Sequence, residues 1–270
     1  MAHHVHIAPG TWVVGLILAL VVTYQSGWMR LRLLTSNPLP AWRAASALGG
    51  LVVAWLAVAS PIGAGDGRLL TFHMVQHLLL MTIAPALILL GEPVRAVCWG
   101  LFESPEDAAG SFRGAAWTRT KVALGRPAVC WLAATATLVG WHIPAAFTLA
   151  LASPFWHAVE QASFLVSGVL FWWPVVQPWP SRPDPRWSTV LYLFLATLPC
   201  DILSGFLVFS DRVAYPVYLS AKPALAVLDD QQCAGALMWT VVTIVYLVAG
   251  TIVSTQLLAI SNPRRVAEAA

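Results

Sequence analysis

The stretch LTFHMVQHLLLMTIAPALILL, Leu70 to Leu90, runs for 21 residues without an Asp, Glu, Lys or Arg. At 1.5 Å of rise per residue it makes a helix of about 30 Å, the thickness of a bilayer's hydrocarbon core. It reads as a transmembrane helix, kinked inward at Pro85, whose ring and missing N–H leave a carbonyl of the preceding turn unpaired. Similar runs stand on both sides of it. The expected spans are Thr11 to Met29, Ala44 to Ser60, Leu70 to Leu90, Ala128 to Phe147, Trp156 to Val176, Ser188 to Phe209 and Gln232 to Ala259. The first is too long for a signal peptide and lacks a small-residue cleavage site, so it counts as a span. The expected fold is all-α: a polytopic membrane protein with seven transmembrane helices in one bundle, forming a single domain over residues 1–270.

Composition agrees. Of 270 residues, 59% are hydrophobic and 10% charged, with 14 tryptophans, and the mean hydropathy is +0.73. An ordinary soluble domain carries about 25% charged residues. The net charge of +3 is too small and too dispersed for nucleic-acid binding, which needs a basic patch. Cys98, Cys130, Cys200 and Cys233 stand singly in apolar surroundings, without the paired spacing of a disulfide framework or a zinc finger.

Basic residues fix the expected orientation. With the N-terminus outside, 12 of the 15 Lys and Arg residues fall in cytoplasmic segments, leaving Arg68, Arg212 and Lys222 for the outer face. Such a bias follows the positive-inside rule and gives N-out, C-in. The long connections are Glu92 to Pro127 inside and Ser210 to Gln231 outside. In this topology all seven histidines lie toward the outer side, where imidazoles serve as metal ligands or titrate near neutral pH.

The sharpest signal is His73-Met74-Val75-Gln76-His77. Residues four apart are neighbours on one helical face, so His73 and His77 can hold a single ion. Met74 and Met81 lay thioethers along the same side, and imidazole with thioether favours copper over hard cations. His142, in Trp141-His142-Ile143-Pro144, and His157, in Trp156-His157, flank the connection between the fourth and fifth spans, and a tight hairpin would bring them to one level. At the outer mouth of the seventh span, Asp230 and Cys233 stand one turn apart and offer a carboxylate and a thiolate, although an acid there also suits an N-cap. Met238 lies deeper, about 140° around the helix from Cys233. Asp201, within the sixth span, needs a partner and reads as a metal ligand, a residue orienting a histidine or a protonated structural acid, the second being favoured. His3 and His4 place an imidazole near the amine, an arrangement that can bind Cu(II) in a square plane. Cys98 and Cys130 receive no role.

Several motifs occur together. Ser60-Pro61, the Phe72 to Leu80 segment, Ala84-Pro85, Gly91-Glu92-Pro93, Trp141-His142-Ile143-Pro144, Phe171-Trp172-Trp173-Pro174, Tyr215-Pro216-Val217-Tyr218 and Asp230-Gln231 through Met238-Trp239 resemble, in this order, the CtaG-type cytochrome c oxidase assembly factors of bacteria, the family associated with caa-type oxidases. The likeness runs from about Leu56 to Trp239. It implies a multi-pass protein of the bacterial plasma membrane that matures a haem–copper oxidase by handling copper. Onto this chain it carries His73, Met74, His77, His142, His157 and Asp230. Where the family pattern often has a further histidine, four residues beyond the equivalent of His157, this chain has Gln161.

The expected protein is therefore not an enzyme. It binds copper at the outer, periplasmic face and passes it from a copper chaperone to an oxidase subunit, by ligand exchange alone. One rival is an intramembrane zinc hydrolase acting on lipid, with histidines holding the metal and an acid as general base. A second is a haem carrier with histidines as axial ligands. A retinal protein is disfavoured because Lys121 and Lys222 both fall outside the spans.

Overall fold

The computed structural model describes residues 9–36, 38–60, 67–102, 126–176, 186–220 and 223–260. Among them every regular element is helical. In chain order these are α1 (Pro9–Leu34), α2 (Ala41–Ala59), α3 (Leu70–Leu78), a π-helical turn (Leu79–Ile83), α4 (Ala84–Leu90), α5 (Pro93–Leu101), α6 (Pro127–His142), α7 (Pro144–Ala152), α8 (Pro154–Val176), α9 (Trp187–Phe209), a 3₁₀ turn (Pro216–Ser220) and α10 (Ala224–Ile260). Proline opens five of the helices, where its fixed φ fits and its missing N–H costs nothing.

Five helices are long and apolar enough to cross a membrane: α2, the Leu70–Leu90 rod, α8, α9 and α10. The bent pair α6 and α7 makes a sixth if it crosses as one span. The protein is thus a multi-pass, all-helical membrane protein. Side chains facing outward are those lipid would meet: Ile202 and Phe209 on α9 are 73% and 78% exposed.

The expected fourth span, Ala128 to Phe147, is not straight. The chain turns by 75° between α6 and α7. Pro144 disfavours helical geometry at the residue before it, and Ile143 accordingly takes φ −65° and ψ 126°. His142 and His157 therefore do not face each other across a tight hairpin, because the nine residues of α7 stand between them. The last helix likewise starts at Ala224 and not at Gln232, so Asp230 lies well inside α10 instead of at its mouth.

The Leu70–Leu90 rod runs through the middle, with α2, α8 and α10 packed around it. Its π turn precedes Pro85, which cannot donate to the carbonyl of Met81; one extra residue in the turn absorbs the misfit. Against that turn sits Gly168 of α8, where a Cβ would lie 2.5 Å from the Met81 carbonyl oxygen. Only glycine permits this approach. Leu70, Met74 and Leu78 from the rod share a core with Phe147, Phe171 and Tyr246.

Beyond α4, Glu92 has φ 49°, the one positive φ at a non-glycine residue among those described. Its buried carboxylate meets Arg43 Nη1 at 2.9 Å and Arg95 Nη1 at 3.4 Å. The Tyr24 hydroxyl donates to the Gly91 carbonyl at 2.7 Å. Groups from α1, α2 and α5 thereby fasten one end of the rod.

Candidate metal centre

Near the other end of the rod, His73 and His77 stand one turn apart on α3, their ring centroids separated by 4.2 Å. Both turn toward α8. His73 Nε2 and His77 Nε2 each lie 3.3 Å from the same oxygen, Glu160 Oε1. His73 and Glu160 are fully buried and His77 is 5% exposed. Ligand atoms of the three residues all fall within 4.8 Å of one another, the spacing that lets three groups share one ion.

Several polar atoms here have no hydrogen-bond partner among the described residues: His73 Nδ1, both ring nitrogens of His77, and Glu160 Oε2. His77 Nε2 is within ion-pair range of Glu160 yet is not aligned to donate to it. His73 Nε2 is hydrogen-bonded to Glu160 Oε1, so one carboxylate oxygen lies between the two imidazoles. Leaving buried polar groups unsatisfied costs about 1–3 kcal/mol each, a cost that water or a bound ion would offset.

His142, on α6, comes beside this group, with its ring centroid 5.8 Å from that of His77. Its Nδ1 lies 2.7 Å from the Leu138 carbonyl, and since a carbonyl only accepts, Nδ1 carries the proton. In the neutral ring the Nε2 lone pair is then bare, and it faces Met74 Sδ at 3.3 Å. A nitrogen lone pair against a thioether is a poor hydrogen bond and a good pair of donors for a soft cation. The Tyr215 hydroxyl donates to the His142 carbonyl at 3.1 Å. Burial, and behind it the charge of Glu160, holds that hydroxyl's pKa above the usual phenol value.

His157 sits on α8, 5.9 Å from His73 between ring centroids. Gln76 fixes its role. The Gln76 amide donates to the Ala57 carbonyl at 2.9 Å, which leaves Gln76 Oε1 to accept from His157 Nε2 at 3.2 Å. Phe147 from α7 covers His73 at 4.6 Å, and Phe164 stacks on His77 at 3.9 Å. Aromatic rings thus wall the centre off from water on two sides.

Other expected site residues lie elsewhere. Asp230 accepts from the backbone N–H groups of Leu70, at 2.6 Å, and Thr71, at 3.4 Å, and from the Thr71 hydroxyl at 2.7 Å. It caps α3 and so sets where His73 and His77 stand; its carboxylate does not reach them. Cys233 is exposed on α10. Asp201 lines a groove between α9 and α10 with Trp239, Thr243 and Tyr246, and touches no histidine. Met81 and Met238 line a cavity beneath His77 and His142. His3 and His4 lie outside the described residues.

Glu160 is the member of the centre that the sequence reading passed over. The available signal was a carboxylate inside a span, three residues after His157 and so on the same helical face.

A model of the family described as "Cytochrome c oxidase caa3 assembly factor (Caa3_CtaG)" matches residues 11–259. The chain is 27% identical over 250 residues to the uncharacterised protein Mb0105 of Mycobacterium bovis and to the uncharacterised protein MT0111 of Mycobacterium tuberculosis, covering 84% of this chain and 35% of each relative. It is 23% identical over 231 residues to the uncharacterised protein ML1998 of Mycobacterium leprae, covering 83% of this chain and 35% of the relative. The chain spans about a third of the length of these curated relatives. No solved structure matches it.

Proposed function

The chain belongs to the cytochrome c oxidase caa3 assembly factor family, and from that premise we propose that it serves oxidase assembly by binding copper at the His73–His77–Glu160 centre and yielding it to an oxidase subunit. The observation that carries the reading is the approach of two imidazole nitrogens to one carboxylate oxygen, each at 3.3 Å, in a buried site whose remaining donors are unpaired. Met74 and His142, side by side at 3.3 Å, supply the soft pair that favours copper over zinc. His157 acts through Gln76 and its contact with His73, and Asp230 by capping α3.

In this reading α1 is the seventh span, the N-terminus is outside, and the centre opens toward the periplasmic face of a bacterial plasma membrane. A copper chaperone supplies the ion and no bond is made or broken beyond ligand exchange. The haem alternative draws no support, because His73 and His77 converge on one point of one helix and leave no plane between them for a porphyrin. A lipid-cleaving zinc site draws none from the family.

The test is the copper content of the purified protein before and after His73→Ala combined with His77→Ala, with oxidase copper measured in the same cells. Copper is expected to fall in both. Unchanged copper in both would discard the proposal.

A further inference from the structure

Below the centre, toward the middle of the bundle, lies a cavity whose upper wall is formed by His77 and His142. Its lower walls carry three sulfur groups from three different elements: Met81 from the π turn, Cys200 from α9 and Met238 from α10. The remaining lining is nearly all apolar or aromatic. Its volume of about 40 Å³ has room for one or two water-sized species.

Two prolines stand close in sequence to these sulfurs. Pro85 accompanies the π turn that carries Met81, and Pro199, within α9, directly precedes Cys200. The π turn presents Met81 to the cavity, and π turns occur disproportionately at functional sites, while α9 stays helical through Pro199 and Cys200. Cys200 Sγ lies 3.7 Å from the fully buried Ser204 hydroxyl, and either group can donate to the other. On the opposite wall His77 keeps Nδ1 without a partner among the described residues, although the residue is 5% exposed.

We propose that Met81, Cys200 and Met238 form a second, deeper Cu(I) site, distinct from the His73–His77–Glu160 centre and reached from it past His77 and His142. The proposal rests on the copper reading of the upper centre. Its chemistry differs from that centre's. Two thioethers and a thiol select a soft monovalent ion, and a buried apolar cavity disfavours a net charge. Coordination converts the Cys200 thiol to thiolate; the proton passes to solvent, the Cu(I)–S bond forms, and the resulting unit is neutral without any change of oxidation state. The carboxylate-bearing upper centre suits the ion on arrival, and the sulfur site suits it for retention.

The experiment uses the full chain in detergent under anaerobic ascorbate, titrated with Cu(I) against a chelator and examined by X-ray absorption at the copper edge. Wild-type protein is expected to bind two equivalents, with a sulfur-rich environment for one. Cys200→Ser with Met238→Leu should bind one equivalent, with nitrogen and oxygen neighbours predominating. His73→Ala with Glu160→Gln, which spares His77, should keep the sulfur-rich equivalent. A single wild-type equivalent that disappears with His73→Ala and Glu160→Gln overturns the deeper site and leaves the upper one standing. No copper in the wild type overturns both. Two equivalents in Cys200→Ser with Met238→Leu overturn the deeper site alone. The wild-type absorption spectrum decides independently of whether any variant folds, since a second copper without sulfur-rich coordination also refutes the assignment.

Discussion

Asp230 Oδ2 accepts the backbone N–H of Leu70 at 2.6 Å, so a carboxylate on α10 caps α3 across 160 positions of sequence. The cap lies less than one turn before His73. Helix caps of this kind contribute about 1 kcal/mol, within a range of roughly 0.5–2. Asp230→Ala is therefore expected to lower unfolding stability by about 1–2 kcal/mol, and to weaken copper binding about tenfold by loosening the turn that carries His73. Asp230→Asn, which keeps an accepting oxygen, should lose roughly half as much stability. Denaturant unfolding in detergent and Cu(I) titration read both quantities. Asp229, its exposed neighbour, provides the comparison, and an equal loss in Asp229→Ala would show that the cap is not the cause.

Glu160 brings one oxygen to within 3.3 Å of two histidine Nε2 atoms, and its isosteric amide cannot supply the same negative charge. Glu160→Gln is expected to weaken copper binding by about 10–100-fold, the range typical for losing a group that supports metal ligands. Gln161→Ala, one residue further along α8, should bind copper as the wild type does. Competition with a Cu(I) chelator measures the difference. Equal affinities for Glu160→Gln and wild type would remove Glu160 from the centre.

Two glycines give opposite outcomes for the same substitution. At Gly168 a Cβ would sit 2.5 Å from the Met81 carbonyl and 2.7 Å from Pro85 Cγ, whereas at Gly140 nothing lies within 4 Å. Gly168→Ala should destabilise by about 1–3 kcal/mol, the usual cost of overpacking. Gly140→Ala should be neutral or stabilise by up to about 1 kcal/mol, because alanine loses less freedom in a helix. Thermal melting of the two variants side by side makes the comparison.

Cys98, on α5 outside the membrane-spanning helices, has its pKa pushed up to about 11 by burial, from an ordinary value of 9.0. Below pH 9 the thiol is protonated in both folded and unfolded chains, so it adds no pH dependence. As pH rises further, the unfolded chain loses the proton first, and stability falls until about pH 11, where the folded thiol also ionises. The stability difference between wild type and Cys98→Ala should therefore be flat up to pH 9 and shift against the wild type between pH 9 and 11. A flat difference across that window would contradict the burial of the thiol.

The rod and its histidine pair were legible because each depends on residues close in sequence: 21 uncharged residues fix the span, and a four-residue spacing puts His73 and His77 on one face. The break at Ile143 was legible too, in the dipeptide Ile143-Pro144, but the unbroken apolar run through Phe147 outweighed it. Glu160 was not found, although the rule that drew notice to Asp201 applies to it equally. What separates the two acids is which helix faces which: α8 turns Glu160 onto α3, while Asp201 looks into a groove on the outside of α9 and α10. The role of Asp230 was hidden for the same reason, since the N–H groups it satisfies belong to a helix 160 positions away.

The capped rod also has an electrical consequence. His77 stands seven residues from Leu70 in a rod of 21, or about 10 Å along an axis of about 30 Å. A cation arriving from the capped end crosses about a third of the span before it meets both imidazoles. With about 2.3 kcal/mol per charge per 100 mV across the full membrane, that third is worth about 0.8 kcal/mol for each charge carried inward. If copper fills the site from that side, as proposed, its binding would be coupled to membrane voltage, and an oxidase that builds this voltage would act back on the supply of its own metal.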